Sequence, residues 1–297
     1  MSPALQHTPH GELRREEPMA RHTSWRVGGP AELFFRPASI EDLAATLAAT
    51  PADMPVFWCG LGSNLLVREG GIRGLVVNTT GLLNEVRRTD GGQLEAGAGV
   101  PCTVLARHCV RHQLGPAEFF AGIPGTIGGA LAMNAGAYGG ETWDFVESVT
   151  TIDRRGELHR RTPGDFRVGY RSVTGPAAEW FVSALFAFAP DPEASRERVA
   201  ALMARRKDSQ PLGLPSCGSV FRNPEGDHAA RLIEAAGLKG HSIGGAQVSP
   251  KHANFIINTG TATPADIEAL IELVAQRVAE VHGVQLQHEV RIIGERA

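Results

Sequence analysis

Apolar residues recur at helical spacing most clearly near the C-terminus, where Ile267, Leu270, Ile271, Val274, Val278 and Val281 fall on one stripe. Thr263, Pro264 and Asp266 precede the stripe and Gly283 follows it, which predicts a capped start and a glycine stop. Ser39 with Asp42 predicts a helix over 40–49, and Pro101 opens a segment that ends near Gly115. A charged run over 192–207 also reads as helix, and the turn-rich Gln210-Pro211-Leu212-Gly213-Leu214-Pro215 after it marks a domain boundary. Between these lie short runs rich in β-branched and aromatic residues, at 56–59, 75–78, 149–152, 181–188, 220–222, 255–257 and 285–293. Over 285–293, Leu286, Val290 and Ile292 share one side, while Gln285, Gln287, Glu289 and Arg291 take the other. Interspersed helices and strands predict an α+β chain.

Composition narrows what that chain can be. With 297 residues, 42% apolar and 21% charged, it has material for two or three folded units and does not resemble a disordered, coiled-coil or collagen-like chain. A net charge of −3 argues against long nucleic acid or an anionic membrane as partner. No run reaches the roughly 18 apolar residues of a membrane span. Residues 1–21 lack the apolar block of a signal peptide and are expected as a flexible tail. Cys59, Cys102, Cys109 and Cys217 form no CxxC pair and are expected as buried free thiols in a reducing cytoplasm. His108 and His112 share one predicted helix with Cys109 between them, but no carboxylate or third ligand accompanies them, so no metal site is expected.

Glycine is the unusual component, at 35 residues alongside 19 prolines, and it is clustered. One cluster follows the strand at 56–59, in Gly60-Leu61-Gly62-Ser63-Asn64-Leu65-Leu66. A Rossmann fingerprint would need a small residue at 65 and then an amphipathic helix; Leu65 is large and the chain continues as strand. Bare amides there, with the side chains of Ser63 and Asn64, still suit an anion-binding nest. The second cluster runs from Gly122, Ile123, Pro124, Gly125 and Thr126 through Gly128 and Gly129 to Asn134, Gly136 and Ala137. Its Pro-Gly turn enters a small-residue helix, which predicts unpaired N–H groups and a positive helix end where a pyrophosphate could sit. A third cluster, at Gly28 and Gly29, precedes the first of the apolar runs. On spacing alone each cluster also reads as ordinary turn chemistry.

With these motifs in view, the sequence resembles the UDP-N-acetylenolpyruvoylglucosamine reductase family. The likeness is carried by residues 23–31, 60–66 and 121–141, by Tyr170-Arg171 and by Gly218-Ser219-Val220-Phe221-Arg222-Asn223-Pro224. Val248-Ser249-Pro250-Lys251-His252-Ala253-Asn254-Phe255 and Glu289-Val290-Arg291-Ile292-Ile293-Gly294 complete it. The first three motifs belong to a wider FAD-binding superfamily; the later four are specific to the reductases. The resemblance implies an α+β fold in which a two-subdomain FAD-binding unit of the vanillyl-alcohol-oxidase (PCMH) type spans 22–190, divided near 81. A C-terminal α+β substrate domain would follow over 191–297. It also implies noncovalent FAD, NADPH as co-substrate, and UDP-N-acetylglucosamine enolpyruvate as the small-molecule substrate, in the cytoplasm. FAD would be held at Gly60, Gly62, Ser63, Asn64, Leu65, Gly122, Ile123, Pro124, Gly125, Thr126, Gly128, Gly129, Asn134, Gly136 and Ala137.

Carried over by motif position, Ser219 is the proton donor, and Arg171 and Glu289 stabilise the enolate-like intermediate. A serine hydroxyl is a weak acid, but a carbanionic intermediate is basic enough to take its proton within hydrogen-bond reach. An arginine grips a carboxylate with a planar fork, and a glutamate beside that carboxylate is pushed towards its protonated, donating form. Arg171, Lys207, Asn223 and His252 are the substrate-binding candidates. On the residues alone, Arg171 reads equally as a surface arginine, Ser219 as a turn serine and Glu289 as part of a solvated strand face. Two departures stand out: Val173 occupies a position where the family often has a hydroxyl residue, and Arg222 stands where lysine is common. The short interval from Arg171 to Ser219 matches the subclass without an extra tyrosine-bearing segment. Two other readings remain: another FAD-dependent alcohol or sugar oxidase or dehydrogenase, and a noncatalytic nucleotide-sugar binding protein with a degenerate flavin site. Colour separates the second from the flavoenzymes: the purified protein is expected to be yellow, absorbing near about 450 nm, and a colourless protein unable to take up FAD would favour binding alone.

Overall fold

The computed structural model describes residues 9–297, and its helices begin where local hydrogen bonds can start them. Ser39 Oγ accepts the Asp42 N–H at 3.2 Å and opens α1, Ile40–Ala49. Then follow α2 (Cys102–Arg111), α3 (Ile127–Met133), α4 (Arg196–Ser209) and α5 (Ala229–Ala235). In α6, Pro264–His282, Thr263 and Asp266 bond each other's backbone reciprocally, and Gly283 at φ 68° ends the helix. The apolar stripe of α6 is buried from Ile267 to Val278, whereas Val281 is 47% exposed. The last turn therefore lies outside the core, contrary to the pattern-based expectation. Among the described residues no helix is long and apolar enough to cross a membrane.

The chain forms two compact units that are discontinuous in sequence. The first holds the described residues through Arg14, Leu33–Gly60 and Gly74–Ala204; the second holds Arg15–Glu32, Leu61–Arg73 and Arg205–Ala297. These bounds differ from a tail ending at 21 and a single boundary at 190, because two N-terminal segments belong with the C-terminal part. Residues 1–8 of the expected tail lie outside the described residues, but Glu12–Pro18 is a strand at the edge of a four-stranded sheet. Its charges suit a sheet edge, and they hide it from any search for alternating hydrophobicity.

In the first unit an antiparallel sheet runs in the order Leu158–Arg161, Val146–Asp153, Glu179–Phe186, Leu94–Gly97, Val86–Arg88. Leu105 of α2 and Ile127 of α3 pack with Phe120, Val149, Ala184 and Phe186 in one core. Leu43 and Leu47 of α1 pack with Leu33, Phe35, Leu75 and Val77 in another, which Ile152 and Val182 also enter. The strands Val146–Asp153 and Glu179–Phe186 thus serve both cores, so a division near residue 81 does not separate them.

In the second unit α5 and α6 share a core with the sheet Ser242–Ile243, Ala246–Val248, Ile256–Asn258. Trp25 is fully buried there; its indole N–H donates to Ile256 O at 2.8 Å, and Asn258 Nδ2 donates to Trp25 O at 2.9 Å. Leu65–Val67 pairs in parallel with Arg291–Ile293. The expected strand over 220–222 is reduced to a single bridge between Phe221 and His288, and the one over 285–293 to Arg291–Ile293.

Glu268 of α6 ties this parallel pair to the helix through Arg68 at 2.8 Å and Arg296 at 2.9 Å. The Arg68 hydrogen bond, ahead of that from Arg296, holds its carboxyl down from 4.5 to about 2 despite partial burial. Because the folded-state value is the lower one, the stabilisation is present above about 4.5 and is lost as pH falls towards 2. In urea unfolding, the wild type should lose stability faster than Glu268→Gln between about pH 5 and about pH 2; parallel curves would show that the cluster contributes nothing.

Candidate functional site

In the second unit, Ser219 sits in the loop after α4, half-buried, following Gly218 at φ 82°. Its hydroxyl has no hydrogen-bond partner among the described residues. The next two residues are pinned on both sides. Val220 N–H donates to Asn254 O at 2.9 Å, and the buried Asn254 side chain accepts from Phe221 N–H at 2.9 Å and donates to Phe221 O at 2.8 Å. On the other side Arg222 N–H donates to Gln287 O at 2.9 Å, and Glu289 N–H donates to Val220 O at 2.7 Å. The last bond sets Glu289 beside Ser219, one residue removed along the partner segment. Glu289 is half-buried and lies close enough to Cys217 that its charge, after burial, adds to holding that thiol well above its ordinary pKa. Serine and glutamate, distant in sequence, therefore share one locality. Asn254 had no role in the sequence reading; an asparagine between the apolar Ala253 and Phe255 was the available signal.

The other side of Glu289 meets the first glycine cluster. Asn64 Nδ2 donates to Glu289 O at 3.1 Å, and Asn64 O accepts Arg291 N–H at 3.0 Å. Leu65 is in register with Arg291. Gly62 O accepts from Ser24 N–H at 3.2 Å. The third cluster is a packing device: a Cβ on Gly29 would lie 2.1 Å from Glu69 O.

In the first unit, Gly60 and the second cluster meet directly. A Cβ on Gly60 would lie 2.7 Å from Thr126 Oγ1, and Gly60 O accepts from the buried Asn78 side chain at 3.0 Å. A Cβ on Gly122 would lie 2.9 Å from that of Ala137. The expected open start of α3 is closed: Ile127 and Gly128 donate to Val100 O and Ala98 O, each at 2.8 Å, and Gly129 turns to Thr126 Oγ1 at 3.5 Å. The N–H groups of Gly125 and Thr126 have no acceptor among the described residues. The donors available to an anion thus lie one turn earlier than the helix, next to Pro124 and the bare backbone of Gly60. This set, with two orphan donors and glycines that leave no side chain in the way, fits a pyrophosphate-bearing cofactor.

Arg171 is seated by the end of the same cluster. Its Nη1 donates to Asn134 O at 3.2 Å, its Nη2 donates to Gly136 O at 2.8 Å, and its Cζ lies 5.1 Å from the Tyr170 ring centre. Asn134 ends α3 at φ 42° and is buried. Its Nδ2 donates to Glu141 Oε2 at 2.7 Å and Gly169 O at 3.2 Å, and its Oδ1 accepts Trp143 N–H at 3.1 Å. With these groups engaged inside the protein, Asn134 is a strut beneath Arg171, and its side chain is not available to a cofactor. Val173 pairs with Val168 and packs on the core, and it is the two carbonyls of Asn134 and Gly136 that support the Arg171 guanidinium.

The substrate-binding candidates are placed less uniformly. Lys207 is exposed on α4, and its carbonyl accepts from the Lys251 ammonium. Asn223 Oδ1 is taken by Ala229 N–H at 3.1 Å at the start of α5, which leaves its NH2 group. His252 lies edge-on to Phe255 with a buried Nδ1 that lacks a partner. Burial, then the Lys239 charge, holds its pKa down, so it offers a neutral ring and not a cation to a phosphate. Arg222 Nε is likewise buried without a partner.

The FAD binding domain family matches residues 31–162, and the C-terminal domain of UDP-N-acetylenolpyruvoylglucosamine reductase matches residues 210–293. A UDP-N-acetylenolpyruvoylglucosamine reductase from Alkalilimnicola ehrlichii is 65% identical over 286 residues, 96% of this chain and 96% of its own. One from Methylococcus capsulatus is 58% identical over 286 residues, 96% of this chain and 94% of its own. The solved reductase of Thermus caldophilus superposes with a TM-score of 0.81 at 30% identity, covering 96% of this chain and 99% of that one.

Replacing Asn134 by Ala removes a buried hydrogen-bonding hub and leaves a Cβ-bearing residue in a left-handed conformation without local compensation. The expected loss is about 3 kcal/mol in urea unfolding, with Arg171 unseated; a loss below about 0.5 kcal/mol would show that water replaces the hub.

Proposed function

The chain belongs to the UDP-N-acetylenolpyruvoylglucosamine reductase family, FAD-dependent enzymes of peptidoglycan precursor synthesis, and we propose that Ser219, Arg171 and Glu289 carry the reaction in it. The substrate is UDP-N-acetylglucosamine enolpyruvate and the product UDP-N-acetylmuramate. The observation that supports the reading is the Glu289 N–H bond to Val220 O, which brings the Glu289 main chain against the residue that follows the unpartnered Ser219.

When bound, FAD reduced by NADPH would supply the hydride that adds to the terminal carbon of the enolpyruvyl double bond. Negative charge then grows on the adjacent carbon and its carboxylate. Arg171, its guanidinium held by Asn134 O and Gly136 O, is the fixed positive charge that stabilises that carboxylate. Its seat is formed before the charge appears, so little reorganisation is needed during reaction. Glu289, in its protonated form, donates a further hydrogen bond to the same charge. Ser219 Oγ gives its proton to the carbanionic carbon, completing the addition of hydride and proton across the double bond. The serine is later reprotonated from solvent.

The main chain of Gly60 to Leu65 and of residues 122–126 would hold FAD, with Gly125 and Thr126 supplying donors to phosphate and Gly128, Gly129, Gly136 and Ala137 adding small residues; the Asn64 side chain is given instead to Glu289 O. Neutral His252, Lys207 and the NH2 group of Asn223 are the groups we assign to the nucleotide sugar. We place the reaction in the cytoplasm, without nucleic acid or membrane as partner; four buried free thiols support a reducing compartment.

NADPH oxidation that requires the enolpyruvyl substrate tests the activity; consumption equal with and without it would contradict the reading. Ser219→Ala should slow reoxidation of the reduced protein by substrate about 1,000-fold or more while leaving flavin reduction by NADPH within about twofold. Equal loss of both half-reactions would remove Ser219 from its role. Glu289→Gln should alter the pH–rate profile of substrate reduction, and a profile matching the wild type would count against a titrating Glu289.

A further inference from the structure

Asn64 stands in a glycine-rich run whose family likeness points to the cofactor, yet two of its hydrogen bonds lead to the segment that carries Glu289. Its side-chain amide donates to Glu289 O at 3.1 Å, and its carbonyl accepts Arg291 N–H at 3.0 Å. Together they extend the parallel pairing of Leu65–Val67 with Arg291–Ile293 backwards to Glu289. On the opposite side Glu289 N–H is held by Val220 O at 2.7 Å.

We propose that Asn64 is a positioning residue for Glu289, fixing the backbone from which its carboxyl reaches the reacting carbon beside Ser219. The inference rests on the catalytic reading of Glu289 given above. Both main-chain polar groups of Glu289 are engaged, one by Val220 and one by Asn64, so both flanking peptide planes are set. The direction of the Glu289 Cα–Cβ bond follows from those planes. Neither bond occupies the carboxyl group. An N–H donor is required of residue 64, because the atom it meets is a carbonyl oxygen; aspartate has the same shape but lacks the donor and sets a negative charge against that oxygen.

The test uses FAD-loaded protein with Asn64→Asp and, as a milder change, Asn64→Ser. Amide hydrogen exchange over residues 287–291 should accelerate about tenfold or more in both. Reoxidation of the reduced enzyme by UDP-N-acetylglucosamine enolpyruvate should slow at least about tenfold, with flavin affinity and flavin reduction by NADPH within about twofold of wild type. In a Glu289→Gln background the same Asn64 substitutions should slow turnover less than about twofold further, as expected for groups acting as one unit. Unchanged exchange over residues 287–291 would overturn the proposal, as would loss of flavin affinity with effects that multiply in the double variants. Should Glu289→Gln alone reduce substrate at the wild-type rate, the catalytic reading of Glu289 fails, while the exchange result still reports whether Asn64 holds that backbone. Should neither Asn64 variant retain flavin, cofactor binding is the residue's role and the proposal falls.

Discussion

The hydrogen bond from Glu289 N–H to Val220 O joins two segments that have nothing else in common in the sequence, and the assigned chemistry depends on it. A serine can protonate a carbanion only from within hydrogen-bond reach, and a glutamate can stabilise the same charge only if both groups converge on one carbon. Side-chain hydrogen bonds between them would tie up the groups needed for reaction. A main-chain bond, by contrast, fixes the distance between the two segments without using the serine hydroxyl. Asn254 serves the same end, since its side chain bonds both polar groups of Phe221 as a neighbouring strand would. The loop that carries Ser219 is thus held as part of a sheet although it contains no more than one bridge of sheet structure.

Arg171 follows the same logic in the first unit. Its guanidinium is seated on carbonyls at the end of α3, and those carbonyls are aimed by Asn134, whose side chain fastens Gly169, Glu141 and Trp143 around it. The glycine clusters accordingly divide their work. Gly60 lets the loop press on Thr126, Gly29 lets two backbones touch, and the donors of Gly125 and Thr126 are the groups left for an anion.

What the sequence made legible is what local forces decide. The starts of α1 and α6 were readable because Ser39 with Asp42, and Thr263 with Asp266, bond within one turn. The three chemical residues were readable as motif members, but on their own they looked like turn and surface residues. The roles of Asn64 and Asn134 were not readable, since a side-chain amide does not announce whether its partner is a ligand or a carbonyl of the same chain, and the partner of Asn64 is far along it. The strand Glu12–Pro18 was hidden by its charges, and the interleaving of the two units by chain crossings that no single boundary signal marks. The start of α3 misled for a related reason: its amides look free until a distant segment, here Val100 and Ala98, takes them.

The most direct test of the convergence of Ser219 and Glu289 on one carbon is a crystal structure with FAD and UDP-N-acetylglucosamine enolpyruvate bound. Ser219 Oγ is expected within about 3.5 Å of the carbon that carries the carboxylate, with Glu289 in hydrogen-bond reach of the carboxylate or of that carbon's oxygen substituent. An enolpyruvyl group bound beyond reach of Ser219, with Glu289 turned to solvent, would contradict it.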